Sequence, residues 1–147
     1  MKNFQKITFP IISFLIFSCS NEKLDAPFEI KSPNNSLSAT IKIDDGAPFY
    51  SLSFNGTRIV DKSRLGINAD KFLLSEDLKV IKARRSSENK SWSQVWGEQK
   101  IIQDNYNELE LTLLSNSENH KMILRFKMFN DGLGFRYEIP KQKKISD

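Results

Sequence analysis

A few residues in this sequence have the chemistry and the spacing to do more than fold. Two carboxylate pairs stand close together, Asp44 with Asp45 and Glu108 with Glu110, and paired carboxyl groups are what general acid–base catalysis needs. Trp92 and Trp96 lie four residues apart, a spacing that on a strand puts both indoles on one face, where a sugar ring or another protein surface could stack. Asn130-Asp131-Gly132, with Gly134 just beyond, forms a glycine-bearing turn whose polar side chains are candidates for contact with a neighbouring domain. Cys19 is the sole cysteine and His120 the sole histidine.

Each of these also has a plainer reading. Asp44-Asp45-Gly46 reads as a turn whose carboxylates cap backbone N–H groups. Glu108 and Glu110, two apart, read as the solvated face of a strand whose other face is Leu109, Leu111 and Leu113. For the tryptophans, packing against a further domain or the domain's own core comes before sugar stacking. The glycines at 132 and 134 suggest positive φ or close backbone approach. His120 sits in a polar turn without a cysteine or second histidine nearby, so it offers no transition-metal site, and calcium-loop spacing is missing throughout.

The elements that must position these residues begin with an export signal. Lys2 and Lys6 precede an uncharged, mostly apolar run from Ile7 to Phe17 and then the small Ser18 before Cys19, the order of a signal peptide. The run is only about half of the roughly 20 residues that span a bilayer. Cys19 stands where a lipoprotein signal peptidase cuts, after a loose lipobox, and acylation there anchors the mature chain to a membrane. The expected organisation is a signal peptide over 1–18, a polar tether over 19–27 and one domain over 28–147, exported to the periplasm or outer membrane. Loss of Lys2 and Lys6 with the signal lowers an already small net charge of +4, which gives nucleic-acid binding no electrostatic support.

From Phe28 onward the dominant signal has period two. Leu37, Ala39, Ile41 and Ile43 alternate with polar residues, as do Tyr50, Leu52 and Phe54, and Asn55-Gly56 has the composition of a type I′ hairpin. Further strands are predicted over 78–84, 98–103, 107–114, 121–129 and 135–139, with turn-forming segments between them. In the last two, Met122, Leu124, Phe126 and Met128 share a face, and Phe135, Tyr137 and Ile139 alternate with Arg136 and Glu138. Convincing helical periodicity is missing, and the fold class is all-β, a β-sandwich.

Three stretches, 31–56, 91–113 and 129–140, resemble the N-terminal domain of glycoside hydrolase family 97, and they occur in that family's order. They include Ser32-Pro33-Asn34, Val95-Trp96-Gly97-Glu98, Tyr106-Asn107-Glu108-Leu109 and Phe135-Arg136-Tyr137-Glu138-Ile139-Pro140, and Ser63-Arg64-Leu65-Gly66 lies between the first two stretches. The resemblance implies a β-super-sandwich of the galactose-mutarotase-like kind, of which this chain holds the first part. It also implies a complete enzyme with a central (β/α)8 barrel that hydrolyses α-glucosidic or α-galactosidic bonds with calcium. The catalytic carboxylates would come from that barrel, so neither catalytic nor metal-ligating residues are expected here, and the missing barrel is the expected partner. The chain looks like a fragment, and half a sandwich should leave Phe126, Met128, Phe135, Tyr137 and Ile139 in water. The competing expectation is a free-standing lipoprotein module that binds carbohydrate or a protein partner, with Trp92 and Trp96 as its platform.

Overall fold

The computed structural model describes residues 24, 27–69 and 72–142. The expected signal peptide and Cys19, with nearly all of the tether, lie outside the described residues.

Ten strands follow one another among the described residues: β1 (Phe28–Lys31), β2 (Leu37–Asp44), β3 (Ala47–Phe54), β4 (Thr57–Arg64), β5 (Ile67–Ala69), β6 (Phe72–Leu74), β7 (Leu78–Ser93), β8 (Ile101–Ser115), β9 (Lys121–Met128) and β10 (Leu133–Glu138). They form an antiparallel four-stranded sheet β1-β2-β3-β4, a second of order β10-β9-β8-β7, and a two-stranded β5-β6 ribbon.

Turn chemistry sets the first sheet. Asp45 and Gly46 have φ of 49° and 75°, and Asn55 and Gly56 have 47° and 79°, the pair of positive values a two-residue hairpin needs to match strand twist. The register that results, Phe28 opposite Ile41 and Ile41 opposite Tyr50, puts the alternating apolar residues on one face. At Gly66 the reason for glycine is contact: φ is 141°, and a Cβ there would stand 2.5 Å from Ser75 Cα.

The apolar faces of the two four-stranded sheets meet in a single core. Phe28, Ile30, Leu37, Ala39 and Ile41 from the first sheet pack with Leu78, Val80, Leu109, Leu111, Leu113, Met122, Leu124, Phe126 and Met128 from the second. The expected exposure of the inner face is therefore corrected in part. Phe126 and Met128 are fully buried because β1–β3 cover them, and Tyr137 packs partly buried at the core margin. Only Phe135 and Ile139 stay open, at 40% and 36%, beside the unpaired edge of β10.

Two strand boundaries also differ from those expected. Residues 98–100 of one expected strand lie in the loop instead, 101–103 and 107–114 belong to one strand, β8, joined through 104–106, and β7 runs on to Ser93. β9 leaves β8 at the Asn107–Met128 pair, but β7 and β8 stay paired through Glu88–Tyr106 to Ser93–Ile101. Beyond the sandwich these two strands make a two-stranded arm.

Candidate functional site

The arm carries both tryptophans, and not in the arrangement their spacing predicted. Trp92 lies on β7, paired with Ile102, whereas Trp96 lies in the loop that closes the tip, so the two do not share a strand face. Neither enters the core: Trp92 is 52% and Trp96 87% exposed, with Val95 at 89% and Ile101 at 62% beside them. Core packing, one of the expected roles, is thereby corrected. Polar groups shape the loop from within. Gln94 donates from its backbone N–H to the Lys100 carbonyl at 3.1 Å and from Nε2 to the Gln99 carbonyl at 2.7 Å. Gly97, at φ 131°, closes over the Gln94 amide so tightly that a Cβ would collide with it. The amide faces inward and the apolar side chains face water, the reverse of the usual division.

The Glu108–Glu110 pair lies on the outer face of the second sheet, and it is not the solvated face that alternation suggested. Opposite it on β9 stands Arg125, which reaches Glu108 at 2.5 Å, Glu110 at 2.7 Å and Glu138 of β10 at 2.7 Å. The two glutamates of β8 keep only 14% and 13% of their side-chain surface in water. Arg125 and Arg136 are directly paired across β9 and β10, an unfavourable juxtaposition. Glu138 resolves it by accepting from both, from Arg136 at 2.6 Å. Those donors, Arg125 first, hold the Glu138 carboxyl down at about 2, and the Glu138 and Glu108 carboxylates raise the Arg125 guanidinium further above its ordinary range. Lys127 sits 3.8 Å from the centroid of the Tyr106 ring on the same face. The glutamates were visible in the sequence, but the network was not. The signal for it was an arginine in the strand MILRFKM, one strand away from ELEL.

The remaining candidates are structural. Asp44 does not cap the turn: Lys62 donates to it at 2.6 Å, which with Lys42 lowers its carboxyl. Asp77, which sequence reasoning passed over, is the carboxylate that binds a turn, accepting from the Ser117 backbone N–H at 2.8 Å and from Asn116 Nδ2 at 3.1 Å. Asn130 Oδ1 accepts from the Asn34 backbone N–H at 3.0 Å and so ties the β9–β10 turn to the first sheet, while Asp131 is exposed. The glycines of that turn are corrected as well: neither Gly132 nor Gly134 has positive φ, and a Cβ on either would meet nothing within 4 Å. His120 is buried, with Nδ1 2.9 Å from a Glu118 oxygen but out of line for a hydrogen bond.

Calcium finds no fit among the described residues. It requires six to eight oxygens, and the place where carboxylates converge, Glu108, Glu110 and Glu138, is already filled by the Arg125 guanidinium. Groups of three or more His, Cys, Asp or Glu able to hold a metal are lacking among those residues.

Comparison with known proteins gives this architecture its context. The sequence matches the family described as glycosyl-hydrolase 97 N-terminal over residues 30–147. Among solved structures, a glycoside hydrolase family 97 enzyme from Pseudoalteromonas sp. strain K8, determined in complex with panose and with acarbose, shares 32% identity over 78% of this chain with a TM-score of 0.74. A β-arabinopyranosidase shares the fold at 24% identity over the same fraction, with a TM-score of 0.73. The chain spans 18% of the length of these solved chains. The three resembling stretches lie in β1–β3, in the arm with β8, and in β10 with the turn before it, the family match spans all of them, and this chain belongs to the N-terminal domain family of glycoside hydrolase family 97.

Proposed function

We propose that this chain is the structural N-terminal sandwich of a family 97 glycoside hydrolase acting on α-glucosides or α-galactosides, and that it is not itself catalytic. The observation that carries the second half is the Arg125 network. Glycoside hydrolysis needs two carboxyl groups free to face a scissile bond, and the best-placed carboxylates here are spent on one guanidinium. Panose is built of α-linked glucose, so its complex with the Pseudoalteromonas relative supports the α-glucoside class. The catalytic domain of the complete enzyme is the partner in this reading, and calcium would be held by residues outside those described. Residues 1–18 serve as the export signal, 19–27 as the tether and 28–147 as the domain, with Cys19 acylated at a membrane of the cell envelope.

The test is turnover by the purified mature chain of aryl α-glucosides and α-galactosides, with and without calcium. No activity above background is expected; turnover abolished by a point change at Glu108 or Glu110 would overturn the proposal. Lipid labelling tests the anchor separately: Cys19→Ala should abolish it and move the protein to the soluble envelope fraction.

A further inference from the structure

We propose that the tip of the β7–β8 arm is a plug that inserts into an apolar socket on the catalytic domain. This rests on the functional reading above and assigns it a docking residue set: Trp92, Val95, Trp96 and Ile101.

Four observations lead there. First, the ribbon from Glu88–Tyr106 to Ser93–Ile101 has no third strand among the described residues, and two-stranded ribbons are marginal in water without further cover. Second, its polarity changes along its length. The shaft is polar, with Glu88, Asn89, Lys90 and Ser91 on β7 and Gln103, Asp104 and Asn105 on β8, whereas the tip collects large apolar side chains. Third, the tip is apolar on more than one side. Trp92 pairs with Ile102 on one face of the ribbon, Ile101 occupies the other, and Val95 and Trp96 project from the end. A patch on one face would suit a flat contact; side chains pointing several ways suit enclosure. Fourth, the loop is held in shape by the Gln94–Gln99 hydrogen bond and the Gly97 close approach, so little ordering is left to occur on docking.

The chemistry of the tip selects the occupant. A sugar site needs polar groups that fix hydroxyls around its aromatic platform, but the Gln94 amide is already engaged within the loop, and Val95 and Ile101 offer only aliphatic surface. A second copy offers no matching socket among the described residues. One cleft, of about 510 Å³, is lined by Glu118, Asn119, His120, Lys121, Lys141 and Gln142 with Pro140, and another beside Phe129 and Phe135 is flanked by Arg125, Lys127 and Arg136. The solved relatives are several times longer than this chain, which covers 18% of them, and that additional polypeptide is the surface on which a socket can lie.

The test mixes the 147-residue chain with a probe, the Pseudoalteromonas sp. strain K8 enzyme lacking the part that this chain matches, after calorimetry has established that the probe still binds acarbose, the ligand of the solved enzyme, and is therefore folded. Binding is followed through the emission of Trp96 and by calorimetry. The double variant Val95→Ser/Trp96→Ser should keep the melting curve of the wild type and bind at least about 30-fold more weakly, the effect of losing one aromatic hot spot. A control pair on the first sheet, Phe54→Ser/Ile59→Ser, removes two apolar side chains that are about half exposed, at 46% and 55%, and should bind like the wild type. Equal binding by the Val95/Trp96 variant, or equal weakening by the control, overturns the plug and leaves the functional reading standing. Failure of the wild-type chain to bind overturns both. Retention of the chain on an insoluble α-glucan, lost in the Val95/Trp96 variant while probe binding persists, would reassign the tip to carbohydrate.

Discussion

β7 and β8 run through two environments without a break in their hydrogen bonding. Near the sandwich, Leu78 and Val80 of β7 and Leu109, Leu111 and Leu113 of β8 face a core and are all but inaccessible to water. In the arm the same two strands carry Trp92 and Ile101 largely in water. The pairing runs through both halves, from Leu78–Ser115 to Ser93–Ile101, and its one register shift, between Val80 and Lys82, lies in the buried half. What differs is lateral cover: the first half has β9 beside it and β1 and β2 across from it, and the second has neither. Regular pairing therefore does not measure stability in this molecule; burial of the faces does.

That contrast can be broken at its strong end first. Phe126→Ala, at a fully buried position under the first sheet, should lower the unfolding free energy by about 3–5 kcal/mol in urea titrations. A loss below about 1 kcal/mol would mean that the two sheets do not cover each other.

The outer face of the second sheet should rank next. Arg125→Met leaves Glu108, Glu110 and Glu138 facing one another without their shared cation and should cost about 2 kcal/mol. This is less than the 3–5 kcal/mol typical of fully buried pairs, because these side chains retain some contact with water.

Acid titration sharpens the same point with a smaller effect. The folded-state value of Glu138 is about 2, below its ordinary 4.5, so its contribution is complete above about pH 4.5 and disappears as pH falls through about 2. Denaturation midpoints measured from pH 5 to pH 2 should decline, and Glu138→Gln should remove about 1–2 kcal/mol of that decline. An identical slope in the variant would show that Glu138 is not the group titrating.

At the weak end, Trp96→Ser should change the unfolding free energy of the isolated chain by no more than about 0.5 kcal/mol. Amides over 88–93 should exchange with solvent well before those over 109–113. A large loss of stability from Trp96→Ser would place the indole in a contact that the structure does not contain.

The sandwich was legible where one force dominated. Asn55-Gly56 and Asp45-Gly46 specify their hairpins by positive φ, and the alternation in 37–43 and 122–128 identifies the inner faces because one side of each strand is dry. The arm is hidden because neither of its faces is buried, so Glu88 to Ser91 show no period, and the expected end of the strand at 84 falls short of the observed one at Ser93. Cross-strand chemistry was hidden for a different reason. Glu108 and Glu110 look solvated until Arg125 is known to stand opposite, and that depends on a register between strands separated by a turn. Four-residue spacing misplaced Trp96 because the strand stops at Ser93.

One irregularity in the sandwich half of β7 has a geometric consequence for the arm. Val80 pairs with Leu113 and Lys82 with Thr112, leaving Ile81 as an extra residue between them. Inward-facing positions on β7 are therefore even-numbered before Ile81 and odd-numbered after it, as Val80 and Ala83 show, and this places Trp92 on the side of Tyr106 and Glu108 rather than that of Leu109. Side chains alternate along a ribbon, so removing one residue from each strand of the shaft would turn the tip to the opposite side. Only steps of two residues per strand, about 7 Å of reach each, preserve the direction in which the tip points. The length of this arm can thus vary among relatives only in discrete increments if its apolar end is to keep meeting the same surface.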